Sequence, residues 1–282
     1  MYISLGNQQF RGYKSGHGSK IVILIPGGPG LTIDYLQTIH EMLPEDLFTV
    51  ISYQPSGTFG NVNTPMLPSV RQYAEELRSI LETLEIKSCY LLGHSWGGVI
   101  AQEFLRQFPT YPIEGIILAN SFISGVQLKN ALIKRAKQLP DNFYQQSQEI
   151  LQSGQTDQYT QILLQTWIPN FLCRIHPLPD PILCSLTPLA DSPVYYYYLG
   201  YDLLEISGAL KYWNRTDSLE DITCPVLIMS GEYDYLSNEE NQKTAAKIKD
   251  CQLWYEAGTS HMPMYEKPNH FAHALNYFLM NN

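Results

Sequence analysis

The sequence predicts an α/β protein: a mostly parallel central sheet flanked by helices, interrupted once by a helical insertion. Three observations carry this expectation. Short apolar runs of β type alternate with helical patterns through roughly the first 120 residues. The alternation stops near Phe122 and returns after about Arg215. The β-type runs are almost continuously apolar, which belongs to strands buried on both faces, as in a parallel sheet covered by helices.

Taken in order, "IVILIPGG" (Ile21–Gly28) is an apolar run bounded by glycine and proline, hence a buried strand. "LFTVISYQ" (Leu47–Gln54) and "KSCYLLGHS" (Lys87–Ser95) read the same way. Between these two, Val70, Tyr73, Leu77, Ile80, Leu81 and Leu84 recur at helical spacing, with Glu and Arg opposite. "WGGVIAQEFLRQFP" is a helix stopped by Pro109, and "IEGIILANS" is the sixth core strand. From there to about Arg215 the chain is rich in Gln and Tyr and reads as helices, broken by a proline-rich passage from Pro169 to Pro193. "CPVLIMSGEYD" and "CQLWYEAGTSH" are then strands, separated by the helix "NEENQKTAAKIK" and closed by "HFAHALNYFLM". The expected organisation is a core in two parts, residues 1–121 and 216–282, around an insertion of residues 122–215.

Composition narrows the function classes. The chain has 282 residues, 44% hydrophobic and 16% charged, enough to bury a core and shape a pocket within it. Its net charge of −9 argues against nucleic acid or an anionic membrane surface as a partner, and ordinary solubility accounts for it. "MYISLGNQQF" has no basic n-region and no apolar core of a signal peptide, and "IVILIP" is far too short to span a bilayer. The five cysteines are scattered, with no C-x-x-C pair, so neither a disulfide framework nor a zinc site is expected. Cytoplasm is the default expectation. No H-E-x-x-H or related spacing occurs, so neither a metal nor another cofactor is expected. No oligomeric state is implied.

The stretch "LLGHSWGG" (Leu91–Gly98) sets Ser95 among Gly93, Gly97 and Gly98. In G-x-S-x-G the serine sits on a sharp strand-to-helix turn, where neighbouring side chains would clash. The pattern alone arises by chance in roughly one chain in ten of this length. Here "SCYLL" supplies the strand before it and "VIAQEFLRQF" the helix after it, so Ser95 is a candidate nucleophile.

A serine hydroxyl needs a base, and the base an orienting acid. On such an elbow the expected chain order is Ser, then Asp or Glu, then His. Asp234 ends one late strand and His261 follows the next, 27 positions on. The alternative acid position, after "IEGIILA", holds Asn120 and Ser121 instead. His94 adjoins Ser95 and cannot face its hydroxyl, which leaves it a packing or supporting role. The oxyanion would take one N–H from Trp96 and one from the loop "PGGPG" (Pro26–Gly30), with Gly28 the preferred donor. A plain tight turn is the alternative use of those glycines and prolines.

With these parts assembled, the chain resembles the α/β-hydrolase superfamily, and within it the proline iminopeptidase branch, including tricorn-interacting aminopeptidases. The likeness spans essentially the whole chain and rests on "GGPG", "GHSWGG", "SGALKYW", "GEYD" and "GTSHMPMYEKP". It implies an α/β-hydrolase fold with the insertion as a helical cap, a Ser95–His261–Asp234 triad, and oxyanion donors Gly28 and Trp96. It also implies a serine hydrolase acting on a small-molecule or short-peptide amide, or an ester, through an acyl-enzyme. Pro26 stands where the family usually has histidine, and Gln54 where it has aspartate. The family's two glutamates that anchor a substrate's free amine correspond to Leu203 and Tyr235. A buried ammonium without a carboxylate is costly, so Asp202 and Glu205 are candidate replacements. An uncharged amide, ester or lactone, or an acyl-transfer or cyclisation reaction, is the alternative; a binding protein without turnover is a third. Gly27, Tyr195 and Met262 complete the candidate substrate contacts, and Tyr196, Tyr197, Tyr198, Tyr201 and Trp213 are further candidates for the pocket wall.

Overall fold

The structure, a computed structural model, describes residues 1–282. Eight strands form one sheet in the order β1-β2-β4-β3-β5-β6-β7-β8. They are β1 Tyr2–Leu5, β2 Gln8–Gly16, β3 Lys20–Ile25, β4 Phe48–Tyr53, β5 Cys89–His94, β6 Ile113–Ala119, β7 Val226–Gly231 and β8 Cys251–Glu256. The pairs β1/β2 and β2/β4 are antiparallel; all others are parallel.

The continuous apolar runs have a direct structural reason. Alternate residues of each central strand enter different cores. Ile23, Ile25, Leu91, Ile116 and Ile228 belong to a cluster of 45 buried residues on one face. Their neighbours Val22, Leu24, Leu92, Ile117 and Leu227 belong to a cluster of 24 on the other. A strand apolar at every position is what two covered faces require. The larger core takes the helix Val70–Thr83 through Val70, Tyr73, Leu77, Ile80 and Leu81. Ser69 caps that helix by accepting from Gln72 N–H, and it ends just before Glu85 turns left-handed at φ 55°. The smaller core takes Phe271, Leu275, Phe278 and Leu279 of the closing helix Pro268–Asn281.

Sheet order positions the chemistry. The chain moves from β3 outward to β4, then returns to place β5 on the other side of β3. Such a switch opens a crevice at the carboxyl ends of the strands. "PGGPG" leaves β3 and Ser95 leaves β5 at that edge. Between β6 and β7 the chain forms the helices Gly125–Ala136, Phe143–Gln152, Thr156–Ile162, Asp180–Leu186 and Pro193–Leu199, with a π-helical stretch Leu163–Leu172 around Pro169. No helix is long and apolar enough to cross a membrane.

The antiparallel β1–β2 hairpin supplies the two strands that the count of six core strands places ahead of β3. One detail differs from the sequence expectation. Asp234 lies three positions beyond the end of β7 rather than at its end, in a turn that starts at Gly231.

One buried carboxyl belongs to the helix Val70–Thr83. Glu76 accepts from Ser56 N–H at 3.1 Å, and burial pushes its pKa up from 4.5 to about 7. A group with a raised folded-state pKa contributes stability in full below its unfolded value and loses it as pH rises through the folded value. Glu76→Gln should therefore be neutral at pH 4 and stabilise the protein at pH 8 by about 2–3 kcal/mol. Urea unfolding of both proteins at the two pH values measures this.

Candidate active site

Ser95 occupies a strained turn, with φ 52° and ψ −118°, between β5 and the helix Trp96–Gln107. A side chain with a Cβ enters this region only when its surroundings hold it there. Ser95 N–H donates to Ala119 C=O at 2.9 Å, and its carbonyl accepts from Gly98 N–H at 3.0 Å and Ser121 Oγ at 2.8 Å. The glycines are dictated by close approach: a Cβ on Gly93 would lie 2.4 Å from Gly98 N, and one on Gly97 would lie 2.1 Å from Ile25 O. The Ser95 hydroxyl does not cap the helix that it begins.

His261 and Asp234 meet at the same edge, with Nδ1 to Oδ1 at 2.7 Å and both residues buried. The same carboxylate oxygen accepts Tyr235 N–H at 2.7 Å. Arg135 steadies this acid turn, its Nε and Nη2 donating to the carbonyls of Asp234 and Glu232 at 2.8 Å each. Desolvation lowers the Arg135 pKa, partly offset by the charge of Asp234. The base loop is braced in turn. Ser260 donates to Glu266 through both N–H and Oγ, at 2.6 and 2.7 Å, and Asn120 Nδ2 donates to Ser260 C=O at 3.1 Å.

His261 also touches the inserted segment. Its N–H donates to Phe171 C=O at 3.2 Å. The Tyr235 ring stacks on the imidazole, with centroids 4.0 Å apart and planes 22° apart. Trp167 packs on Tyr235 at 5.8 Å and on Phe171 at 4.8 Å. Burial, and then the charge of Asp234, raise the Tyr235 pKa, so its phenol stays neutral.

The loop "PGGPG" lies against the elbow, since a Cβ on Gly27 would come within 2.9 Å of Ser95 Cβ. The Gly28 N–H has no hydrogen-bond partner within the protein, and the Trp96 N–H lies at the first turn of the helix that Ser95 begins. Gly27 differs: its N–H donates to Tyr35 OH at 2.7 Å, so it is not available to a substrate. The Met262 side chain is fully buried in the smaller core.

The proposed amine anchors are engaged elsewhere. Glu205 pairs with Lys129 at 2.5 Å and accepts from Tyr144 OH at 2.9 Å. Asp202 accepts from Tyr159 OH, Gln148 Nε2 and Leu204 N–H at 2.7 to 2.9 Å, which closes its own loop. Leu203 and Tyr195 pack, half-buried, against the larger core. The other tyrosines are structural: Tyr197 and Tyr198 donate to the carbonyls of Pro68 and Leu67 at 2.9 Å, and Tyr198 packs on Trp96. Tyr201, exposed, stacks on Tyr196, while Trp213 Nε1 donates to Glu103. Gln54, where aspartate was expected, ties the loop after β4 together by accepting from Arg11 and Ile33 N–H and donating to Phe59 C=O. A cleft of about 1250 Å³ opens beyond Gly30, between residues 57–66 and 184–193, and contains no member of the Ser95, His261, Asp234 set. No group of three or more His, Cys, Asp or Glu is arranged to hold a metal ion.

Fold and site geometry together define a class. A family profile described as alpha/beta hydrolase fold matches residues 20–268, and the chain belongs to that family. It is a hydrolase, similar to proline iminopeptidases. A proline iminopeptidase of Chitinophaga pinensis is 27% identical over 267 residues, covering 89% of this chain and 87% of that protein. The crystal structure of a Mycobacterium smegmatis proline iminopeptidase superposes with a TM-score of 0.88 at 24% identity, covering 100% of this chain and 97% of the other. VinJ superposes at 0.86 with 23% identity, covering 100% and 98%.

Arg135 carries a testable structural consequence. Arg135→Met removes two charge-assisted bonds to the acid turn and should cost about 2 kcal/mol of stability, read by urea unfolding.

Proposed function

We propose that the chain is a serine hydrolase that cleaves a small amide, peptide or ester through Ser95, His261 and Asp234. The observation that carries this reading is the 2.7 Å bond from His261 Nδ1 to Asp234 Oδ1 at the strand edge that also presents Ser95 on its strained turn. Asp234 fixes the tautomer that leaves His261 Nε2 as the base. Nε2 takes the Ser95 hydroxyl proton as Oγ bonds to the substrate carbonyl carbon. The Gly28 and Trp96 N–H groups then stabilise the oxyanion. On collapse the bond to the leaving nitrogen or oxygen breaks, and the proton on Nε2 goes to that atom. Water repeats the sequence on the acyl-enzyme: Nε2 takes its proton, hydroxide adds, and Ser95 leaves with the proton returned. Residues 122–215 act as a cap over this edge, touching the base through the Phe171 carbonyl, with Trp167 packed behind Tyr235.

A second reading concerns the acyl group. Hydrolysis without recognition of a free amine is favoured by Leu203 and Tyr235 at the anchor positions and by the prior engagement of Asp202 and Glu205. An ammonium brought there would be desolvated without a carboxylate partner.

Matched proline and alanine arylamides, free and N-acetylated, together with simple esters, separate these readings. Turnover should be abolished in Ser95→Ala, by at least about 10³-fold. Activity confined to blocked amides or esters supports the second reading; activity on free-amine substrates supports the aminopeptidase one. Absence of turnover and of fluorophosphonate labelling in folded protein leaves only a binding role. If the second reading holds, Leu203→Glu with Tyr235→Glu should raise kcat/KM for free-amine over acetylated substrates, on the order of tenfold.

A further inference from the structure

A chain of hydrogen bonds beneath the site joins the oxyanion loop to the base loop. Gly27 N–H donates to Tyr35 OH at 2.7 Å, Tyr35 OH meets His94 Nδ1 at 2.8 Å, and His94 Nε2 meets His261 C=O at 2.9 Å. Tyr35 and His94 are fully buried. The direction of the chain follows from its ends. A backbone N–H only donates and a carbonyl only accepts. His261 C=O therefore requires the proton on His94 Nε2. Burial, followed by the proximity of His261, pushes the His94 pKa down to about 3, so the ring carries one proton only. Nδ1 is thus bare and accepts from Tyr35 O–H, whose own oxygen accepts from Gly27. Every member has a single role, and none is left to alternate.

We propose that Tyr35 and His94 are positioning residues, which hold the Gly28 oxyanion donor and the His261 base at a fixed separation across Ser95. The inference rests on the triad reading above. Three features distinguish this chain from ordinary satisfied core polarity. It ends on the backbone of the residue adjacent to Gly28 at one side and of His261 itself at the other. It passes through the residue preceding Ser95, so all three loops at the site share one connection. The two imidazoles lie only 4.9 Å apart between centroids, so a charged His94 would oppose the imidazolium formed on His261 during the reaction. A neutral imidazole passes the constraint without adding that charge.

The test uses the full chain and a fluorophosphonate, whose reaction with Ser95 needs base and oxyanion donors but no knowledge of the substrate. Tyr35→Phe keeps the ring that packs edge-on to His94 at 5.3 Å and removes only the hydroxyl. It should slow labelling about tenfold with Tm within a few degrees of wild type. His94→Leu should slow it about a hundredfold. His94→Gln, which retains an N–H near the Nε2 position, should recover part of that loss. Tyr35→Phe added to His94→Leu should slow it no further, because the two act as one unit. The relay is overturned if Tyr35→Phe and His94→Gln label at the wild-type rate, or if slowing vanishes at temperatures far below each variant's Tm. A folded wild type that does not label at all removes the triad reading, and the relay with it. A labelling wild type with unaffected variants removes the relay alone.

Discussion

The site depends on how one imidazole is held. Both backbone polar groups of His261 are engaged, N–H by Phe171 of the inserted segment and C=O by His94 of the elbow. Nδ1 is engaged by Asp234, and one ring face is covered by Tyr235. These contacts come from three separate stretches of chain, and they leave Nε2 as the free polar atom. A side chain fixed by its own backbone and by its ring loses little further entropy when it reacts, which is the physical content of preorganisation.

The elbow is the complementary constraint. A non-glycine residue at φ 52° costs on the order of 1–3 kcal/mol and persists only when its surroundings over-determine it. Here they do: Ala119, Gly98 and Ser121 take both backbone groups of Ser95, and Gly97 and Gly93 stand where an added Cβ would fall 2.1 and 2.4 Å from backbone atoms. Asn120 and Ser121 stand where an alternative acid would stand, and they brace the base loop and the elbow instead.

Much of this was legible in the sequence because it is local. Apolar continuity marked the parallel strands, and glycine spacing around Ser95 marked the elbow. The order of Ser95, Asp234 and His261 pointed to residues on consecutive loops of one sheet edge. What escaped is long-range. Tyr35 lies 59 positions from His94, and Arg135 lies 99 from Asp234, so no window of sequence links them. Gly27 and Met262 are engaged elsewhere for a related reason. Adjacency to Gly28 and His261 in sequence does not give access, since one N–H is taken by Tyr35 and the other side chain faces the smaller core. Glu266 sat within a quoted motif, but its bonds to Ser260 required the loop to be folded.

The same long-range packing governs what the pocket accepts. A glutamate after Asp234 would put a second carboxylate beside the base, stabilise an incoming cation, and leave the imidazole face open. Tyr235 does the reverse: it covers that face, stays neutral, and is backed by Trp167 rather than by water. Asp234 is then the carboxylate in direct contact with His261, and in the proposed mechanism its charge serves the imidazolium formed there. A substrate ammonium entering such a site would compete for that charge and weaken the base, whereas a neutral acyl group would not. Aromatic stacking and cationic recognition are therefore opposed uses of one position, and the Tyr235 ring here makes the stacking contact, which is why the proposed reading favours a neutral acyl group.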